Sequence, residues 1–404
     1  MRNLEAFIFS RLSRRSLLKQ SLGAAMGFSL ASQLVTGGKT QSRAVSNLAN
    51  LGPLQEPDEN NVRLPEGFRS RIVAVTGEKV ANTSYDWHSA PDGGATFATE
   101  DGGWIYVCNS EVPDGKGKVS SLRFNAEGEI IDAYSICEGT SRNCAGGPTT
   151  WGTYLSCEEY PSGMVWECDP LGENEAVPWP ALGVFSHEAV TLDYDKNHLY
   201  LTEDRDDGGL YRFLPHRVNA EGYPELSEGA LQVAIVDNKN YVSWHELDDP
   251  LAREISTRNQ IENMTQFRGG EGIWYQDERV YFATKGDDRV WSYHTDSNRL
   301  ELLYDAKRLD NPALTGVDNI TMLPVGDEVL VAEDGGNMGI VALTQEGEAI
   351  RIIELAEHSK SEVTGVAFSP DQKRIYFNSQ RGSNANPGMG ITFEVTGPFV
   401  HDLD

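Results

Sequence analysis

The chain has 404 residues, 40 of them Gly, and 61 acidic against 34 basic side chains give it a formal charge of −27. That balance excludes recognition of a phosphate backbone, and so a nucleic-acid partner, while it suits solubility or the capture of cations. Gly-, Asp- and Asn-rich turns between short β-prone runs exclude a helical bundle or a doubly wound sheet and predict an all-β fold.

At the N-terminus, Ser13-Arg14-Arg15-Ser16-Leu17-Leu18-Lys19 precedes an apolar, Gly/Ala-rich stretch from Ser21 to Val35. Paired arginines ahead of a short apolar run predict a signal over residues 1–38 that is read by the twin-arginine export machinery. The stretch is too short and too rich in small residues for an ordinary membrane span, so no stable membrane insertion is expected once the signal is removed. The mature protein is expected in the periplasm or secreted, as a monomer. Residues 39–61, rich in Ser, Gly, Asn and Pro, read as a flexible linker, and 62–404 as a single domain.

Within that domain a unit recurs: an acid, an apolar strand, a tight turn, a second apolar strand and another acidic cluster. The first copy runs from Asp92-Gly93-Gly94 through ATFATEDGGWIYV to Asn109-Ser110-Glu111, and the second opens at Cys144 and ends at Glu158-Glu159. In the third, His187-Glu188 leads into AVTLDY, the turn Asp195-Lys196-Asn197 and HLYLT before Glu203-Asp204. Glu271 opens the fourth, Asp318-Asn319 and Glu333-Asp334 bracket the fifth, and Glu362 opens the sixth. A period of about 55 to 60 residues predicts a six-bladed β-propeller, with the late strand GITFEVTGPF closing the ring beside residues 68–75. A double-sheet sandwich, the other all-β solution, does not explain acids at both ends of a hairpin.

In a propeller the first strand of each blade lies nearest the axis and the next runs antiparallel to it. An acid before the first strand and one after the second therefore meet at the same axial end. Cys144, Glu188, Glu271, Asp318 and Glu362, with Glu111, Glu158, Glu203 and Glu333, are thus expected at one mouth. Charges so crowded raise one another's pKa unless cations neutralise them, which points to metal. Carboxylates, and the amide oxygens of Asn109 and Asn319, suit calcium, whereas a thiolate among them favours a transition metal such as iron. Any single acid here reads more readily as a solvated turn residue than as a ligand; recurrence at matched positions reverses that for the set. His187 reads as a metal-side donor or as a structural histidine. The five cysteines are odd in number and lack CxxC spacing, which excludes a zinc knuckle and leaves at least one cysteine unpaired or paired between molecules.

Asn143-Cys144-Ala145-Gly146-Gly147, Trp151-Gly152-Thr153, Cys157-Glu158-Glu159, Phe185-Ser186-His187-Glu188, Leu201-Thr202-Glu203-Asp204, Asp318-Asn319 with Glu333-Asp334, and Glu362-Val363-Thr364-Gly365 follow in order. In this ordered set the chain resembles the PhoX-type alkaline phosphatases over most of its length beyond about residue 85. The resemblance implies an exported six-bladed propeller whose cluster of Fe3+ and Ca2+ hydrolyses a small phosphomonoester. It implies Cys144 as the thiolate ligand of iron, with Glu188, Glu271 and neighbouring mouth acids, among them Glu159, Asp204 and Asp334, completing the iron and calcium shells. Arg268, Asn109 and Glu271 are the catalytic candidates it implies.

Two departures stand out. Asn109-Ser110-Glu111 replaces the family's Asn-His-Glu run, and Arg268-Gly269-Gly270-Glu271 replaces Arg-Pro-Glu, lengthening the arginine spacing by one residue. The chain is also shorter than the well-known phosphatases of the family. Two other functions stay open: a calcium-dependent lactonase-like hydrolase, which gives Cys144 no role, and a non-catalytic, metal-stabilised binding module, which the looser arginine motif favours.

Overall fold

The computed structural model describes residues 43–403, so the expected signal over 1–38 lies outside the described residues. Six antiparallel sheets of four or five strands follow one another along the chain. Blade 1 consists of Pro91–Ala98, Trp104–Ser110, Gly117–Phe124 and Ile130–Thr140, and the first strands of blades 2 to 6 are Asn143–Pro148, His187–Asp193, Gly270–Gln276, Val317–Met322 and Val363–Phe368. Each first strand packs beside that of the next blade, and the sixth beside the first. The fold is the expected all-β, six-bladed propeller.

Closure is also as expected. Ile391–Thr396 pairs antiparallel with Arg69–Val75, placing Val395 opposite Ser70, so a strand from the start of the domain completes the last blade. Six apolar clusters fill the boundaries between successive blades. Second strands lie between neighbouring blades and are covered on both faces, so Trp104–Ser110 and Val329–Glu333 are buried throughout and read as continuous apolar runs rather than alternating ones.

Local chemistry sets the hairpins. Asn125 Oδ1 accepts from the Glu127 and Glu129 amides at 3.1 and 2.8 Å, and Asp237 Oδ1 from those of Lys239 and Tyr241 at 2.8 and 2.9 Å. Such side-chain-to-backbone bonds close a turn within the local sequence. In blade 4 the inner hairpin turns on Asp277 and Glu278, both left-handed with φ of 50° and 64°, the conformation of a tight two-residue loop.

One expectation is corrected. Residues 44–61 are not a free linker: Leu48 is fully buried in the apolar cluster of blades 5 and 6, and Val62–Arg63 pairs with the outer strand Ala349–Leu355 of blade 5. Isolated apolar residues in a polar stretch carry no periodic signal, and only the finished blades supply their partner surface. No helix among the described residues is long and apolar enough to cross a membrane.

Candidate functional site

Every first strand begins with a β-bulge. The ladder slips between Pro91 and Gly94, Asn143 and Gly146, His187 and Val190, Gly270 and Ile273, Val317 and Ile320, and Thr364 and Ala367. A bulge inserts one residue and re-aims the side chains around it. In five blades the first inserted residue is Asp92, Cys144, Glu188, Glu271 or Asp318, each buried. In blade 6 that place falls to Gly365, with φ of 65°, and Glu362 reaches the cluster from just before the strand. A small residue follows in four blades (Gly93, Ala145, Ala189, Gly272), because the inner strands crowd together here. A Cβ on Gly272 would lie 2.3 Å from the Ile320 amide nitrogen of the next blade.

The second strands return to the same end. Ser110, Glu158, Glu203, Thr284 and Glu333 pair with the residue just before the bulge or at its first position, and alternation turns the following residue the other way. Glu111, Glu159, Asp204, Lys285 and Asp334 therefore join the cluster. Glu158, Glu203 and Glu333, expected as metal ligands, do not. Glu158 accepts from the Ser141 and Met164 amides at 2.8 and 3.2 Å, and Glu203 from Gly209 N at 3.2 Å, Tyr211 Oη at 2.7 Å and Arg258 at 2.9 Å. Glu333 accepts from Thr315 N at 3.0 Å, Gly339 N at 2.9 Å and Arg351 at 2.7 Å. These three carboxylates pin loops between blades, with both oxygens engaged.

Within the cluster the Cys144 thiol donates to Glu188 Oε1 at 3.2 Å and lies 3.8 Å from Asp92 Oδ2. Three groups have potential ligand atoms within 4.8 Å of one another: Cys144, Glu159 and Glu188; Glu188, Glu271 and Asp318; and Asp318, Asp334 and Glu362. Lys285 Nζ sits 3.0 Å from Glu271, 3.3 Å from Asp318 and 3.3 Å from Asp334. Arg381 pairs with Glu362 and, at 3.5 Å, with Asp334, while Arg142 lies 3.6 Å from Glu111. Gln380 Nε2 bridges Asp92 Oδ2 at 2.5 Å and Glu111 Oε2 at 3.0 Å.

The electrostatics follow from burial and crowding. Burial, then Glu111 and Asp318, hold the Asp92 carboxyl well above the usual carboxylate range, and burial, then Glu271 and Asp318, do the same to Glu188. Glu362 is raised by burial, then by Asp318 and Asp92, and Glu159 is pushed up to about 8 by burial, then by Glu111 and Asp204. Burial and the neighbouring acids Asp92 and Glu188 keep Cys144 a thiol. Burial works against the Lys285 ammonium, yet Glu271, Asp318, Glu362 and Asp334 outweigh it and raise its pKa. These acids cannot all ionise together unless cations lie among them; otherwise some keep their protons.

Other candidates lie elsewhere. Asn109 is fully buried, donates to the carbonyls of Cys144 and Ala145 at 2.9 and 2.8 Å, and accepts from Ser156 Oγ at 2.9 Å, so its amide is occupied and cannot touch a substrate. Asn319 is likewise engaged, accepting from Gly365 N at 2.9 Å and donating to Asp318 at 2.8 Å. His187 stacks on Phe185 at 3.6 Å and bonds the Gly183 carbonyl at 3.0 Å, burial lowers its pKa to about 3, and it belongs to none of the three candidate ligand groups. The Arg268 side chain is 54% exposed and faces Asp206 at 3.7 Å rather than the cluster, although its carbonyl binds Gly286 N beside Lys285. Cys108 lies beneath Asp92, and Cys137 and Cys168 lie against each other between blades 1 and 2.

Sequence reasoning passed over Asp92, Lys285, Gln380 and Arg381 as members of the cluster. Asp92 and Lys285 stand at the repeat's acid positions and were open to detection by register alone; Gln380 and Arg381 follow the second strand of blade 6, where no acid flags them.

Comparison with known proteins agrees with this architecture. The alkaline phosphatase PhoX family matches residues 121–164 and 161–299. Pseudomonas fluorescens PhoX, solved with the transition-state analogue vanadate, superposes with a TM-score of 0.70 at 17% identity, covering 86% of this chain and 97% of that one. A gluconolactonase from Xanthomonas campestris gives a TM-score of 0.46 at 11% identity over 86% of this chain and 98% of that one. The calcium-binding protein regucalcin from Agrobacterium tumefaciens gives 0.43 at 14% identity over 81% and 96%. No curated protein sequence matches the chain. In sequence over residues 121–299 the chain matches the alkaline phosphatase PhoX family, and in fold over the whole propeller it is similar to Pseudomonas fluorescens PhoX.

Proposed function

We propose that the chain is an exported, metal-dependent phosphomonoesterase that acts as a monomer, in the periplasm or outside the cell. The observation that carries this is one thiol set among carboxylates, with ligand atoms of Cys144, Glu159 and Glu188 within 4.8 Å of one another. The donor chemistry fits the family's metals, since a thiolate among carboxylates favours iron and the purely carboxylate remainder favours calcium. Cys144, Glu159 and Glu188 would hold iron; Asp92, Glu111, Asp204, Glu271, Asp318, Asp334 and Glu362 are the donors for calcium.

When bound there, the ions would neutralise phosphate charge and polarise its oxygens, lowering the cost of the charged transition state. The chain's own part is placement. Asn109 fixes the bulge that presents Cys144, through the carbonyls of Cys144 and Ala145. Arg381 and Arg142 already face cluster acids, and Arg268 offers a further, half-exposed guanidinium to a phosphate entering from solvent. Support for export comes from Arg14 and Arg15 ahead of the short apolar run. A non-catalytic, metal-stabilised propeller is the second reading, favoured by the exposed Arg268.

Elemental analysis and a phosphatase assay on the full chain, purified without chelators, test the proposal. The expected protein contains iron and calcium and hydrolyses a generic phosphomonoester. Cys144→Ser should fold yet lose iron and most activity, because a hydroxyl replaces a thiolate poorly, while Cys137→Ser and Cys168→Ser keep both. Full iron content in Cys144→Ser refutes the ligand assignment, and metal without hydrolysis leaves the binding module.

A further inference from the structure

We infer that Lys285 is an internal cation that takes the place of one metal ion, so that this chain seats one divalent cation fewer than its carboxylates would otherwise hold. The inference rests on the metal reading above and specifies its stoichiometry.

The argument begins with register. Thr284 pairs with Gly270 at the start of the blade 4 bulge, as Glu158 pairs with Asn143, Glu203 with His187 and Glu333 with Val317. The next residue in those three other blades is Glu159, Asp204 or Asp334; in blade 4 it is Lys285. The shorter hairpin on Asp277 and Glu278 changes the sequence spacing but leaves this pairing intact. A repeat that adds an acid in blades 1, 2, 3 and 5 and the neutral Gln380 in blade 6 here adds a positive charge.

Position makes that charge consequential. The ammonium contacts Glu271, Asp318 and Asp334 at 3.0, 3.3 and 3.3 Å, so its partners belong to two of the three candidate groups, which share Asp318. The ammonium donates to Asp318 and Asp334 and forms an ion pair with Glu271, whose buried Oε1 makes no hydrogen bond. A calcium ion needs the same oxygens at about 2.3–2.6 Å and would face the ammonium across a few ångströms, so both cannot occupy the place together. Arg381 engages Glu362 and Asp334 on the same side. The ion pairs of Lys285 do not reach Cys144 or Glu159. Built-in cations thus offset part of the charge of the acids of blades 4 to 6, where one calcium fewer is seated, and leave the thiol-containing group wholly to metal.

The competing account is a lysine that swings into solvent when metal arrives, for which a side chain 32% exposed leaves room. The two accounts differ in a count. Iron and calcium per chain are measured by elemental analysis on calcium-saturated, desalted wild type, Lys285→Asp and Lys285→Ala, with thermal melting against added calcium as a second readout. One additional calcium per chain in both variants, with a larger calcium-dependent rise in melting temperature than wild type shows, is the expected result. Equal calcium in all three while the wild type holds metal overturns this inference alone. A Lys285→Asp chain that stays unfolded in saturating calcium also overturns it, since a bound cation then cannot stand in for the lysine. Absence of metal from every form overturns the metal reading along with it.

Discussion

Glu333 and Asp334 are chain neighbours with opposite duties. The Glu333 side chain, fully buried, closes a loop through two backbone amides and Arg351, whereas Asp334, a quarter exposed, faces Lys285 and Arg381 in the cluster. Removing one partner of a buried ion pair leaves the other charge uncompensated, at a cost of about 3–5 kcal/mol. Glu333→Ala should therefore lose that much stability in denaturant unfolding and keep its metal content. Asp334→Ala should cost less and hold calcium more weakly. A Glu333→Ala chain of undiminished stability but lowered calcium would restore it to the ligand set. Both residues were visible in the sequence as an acidic pair; which one faces inward was not, because that depends on the ladder partner that starts the alternation.

At the scale of the element, the bulge is the device that makes the cluster. A regular first strand would alternate its side chains between the two faces of the blade, and one inserted residue instead presents Asp92, Cys144, Glu188, Glu271 and Asp318 at the strand's start. The acid-then-small pattern of Asp92-Gly93, Cys144-Ala145, Glu188-Ala189 and Glu271-Gly272 is its trace in the sequence. Gly272 shows why the second residue must be small, since an added Cβ would meet Asn319 Cα at 2.7 Å as well as Ile320 N at 2.3 Å, both backbone atoms. Gly272→Ala should lower stability by about 1–3 kcal/mol, as overpacking does. Gly52→Ala, where a Cβ meets nothing within 4 Å, should stay within about 0.5 kcal/mol of wild type. Equal unfolding midpoints for the two variants would show that the inner strands have slack.

For the whole molecule, the closed ring forces acids from all six blades into one place, and pH reports the strain. Glu159 titrates near 4.5 when unfolded but is pushed up to about 8 here, and Asp92, Glu188, Glu271 and Glu362 are raised well above their usual range, in each case first by burial. A raised carboxyl contributes stability that is complete below its unfolded pKa and is lost as pH rises through its folded pKa, because the unfolded chain releases the proton more readily. The chelator-treated protein should therefore melt progressively lower as pH climbs from about 5 to 9, with Glu159 contributing between about 4.5 and 8. Metal-replete protein should show a flatter profile, since bound cations replace the protons. A chelated protein with a flat profile would mean that the acids are solvated.

Local sequence determined the parts: six hairpin units, their turns, the strand that closes the ring and the acids at the hairpin ends, because strand periodicity and turn chemistry act over a few residues. Tertiary structure alone decided the rest. Leu48 gained a core only once blades 5 and 6 existed, Asn109 became a brace for Cys144 rather than a substrate ligand, and Lys285 met Glu271, Asp318 and Asp334 across two blades. Apart from the Lys285–Glu271 pair within one hairpin, these contacts join separate elements of the chain, and their distances are set by ring closure and ladder register, which no single segment specifies.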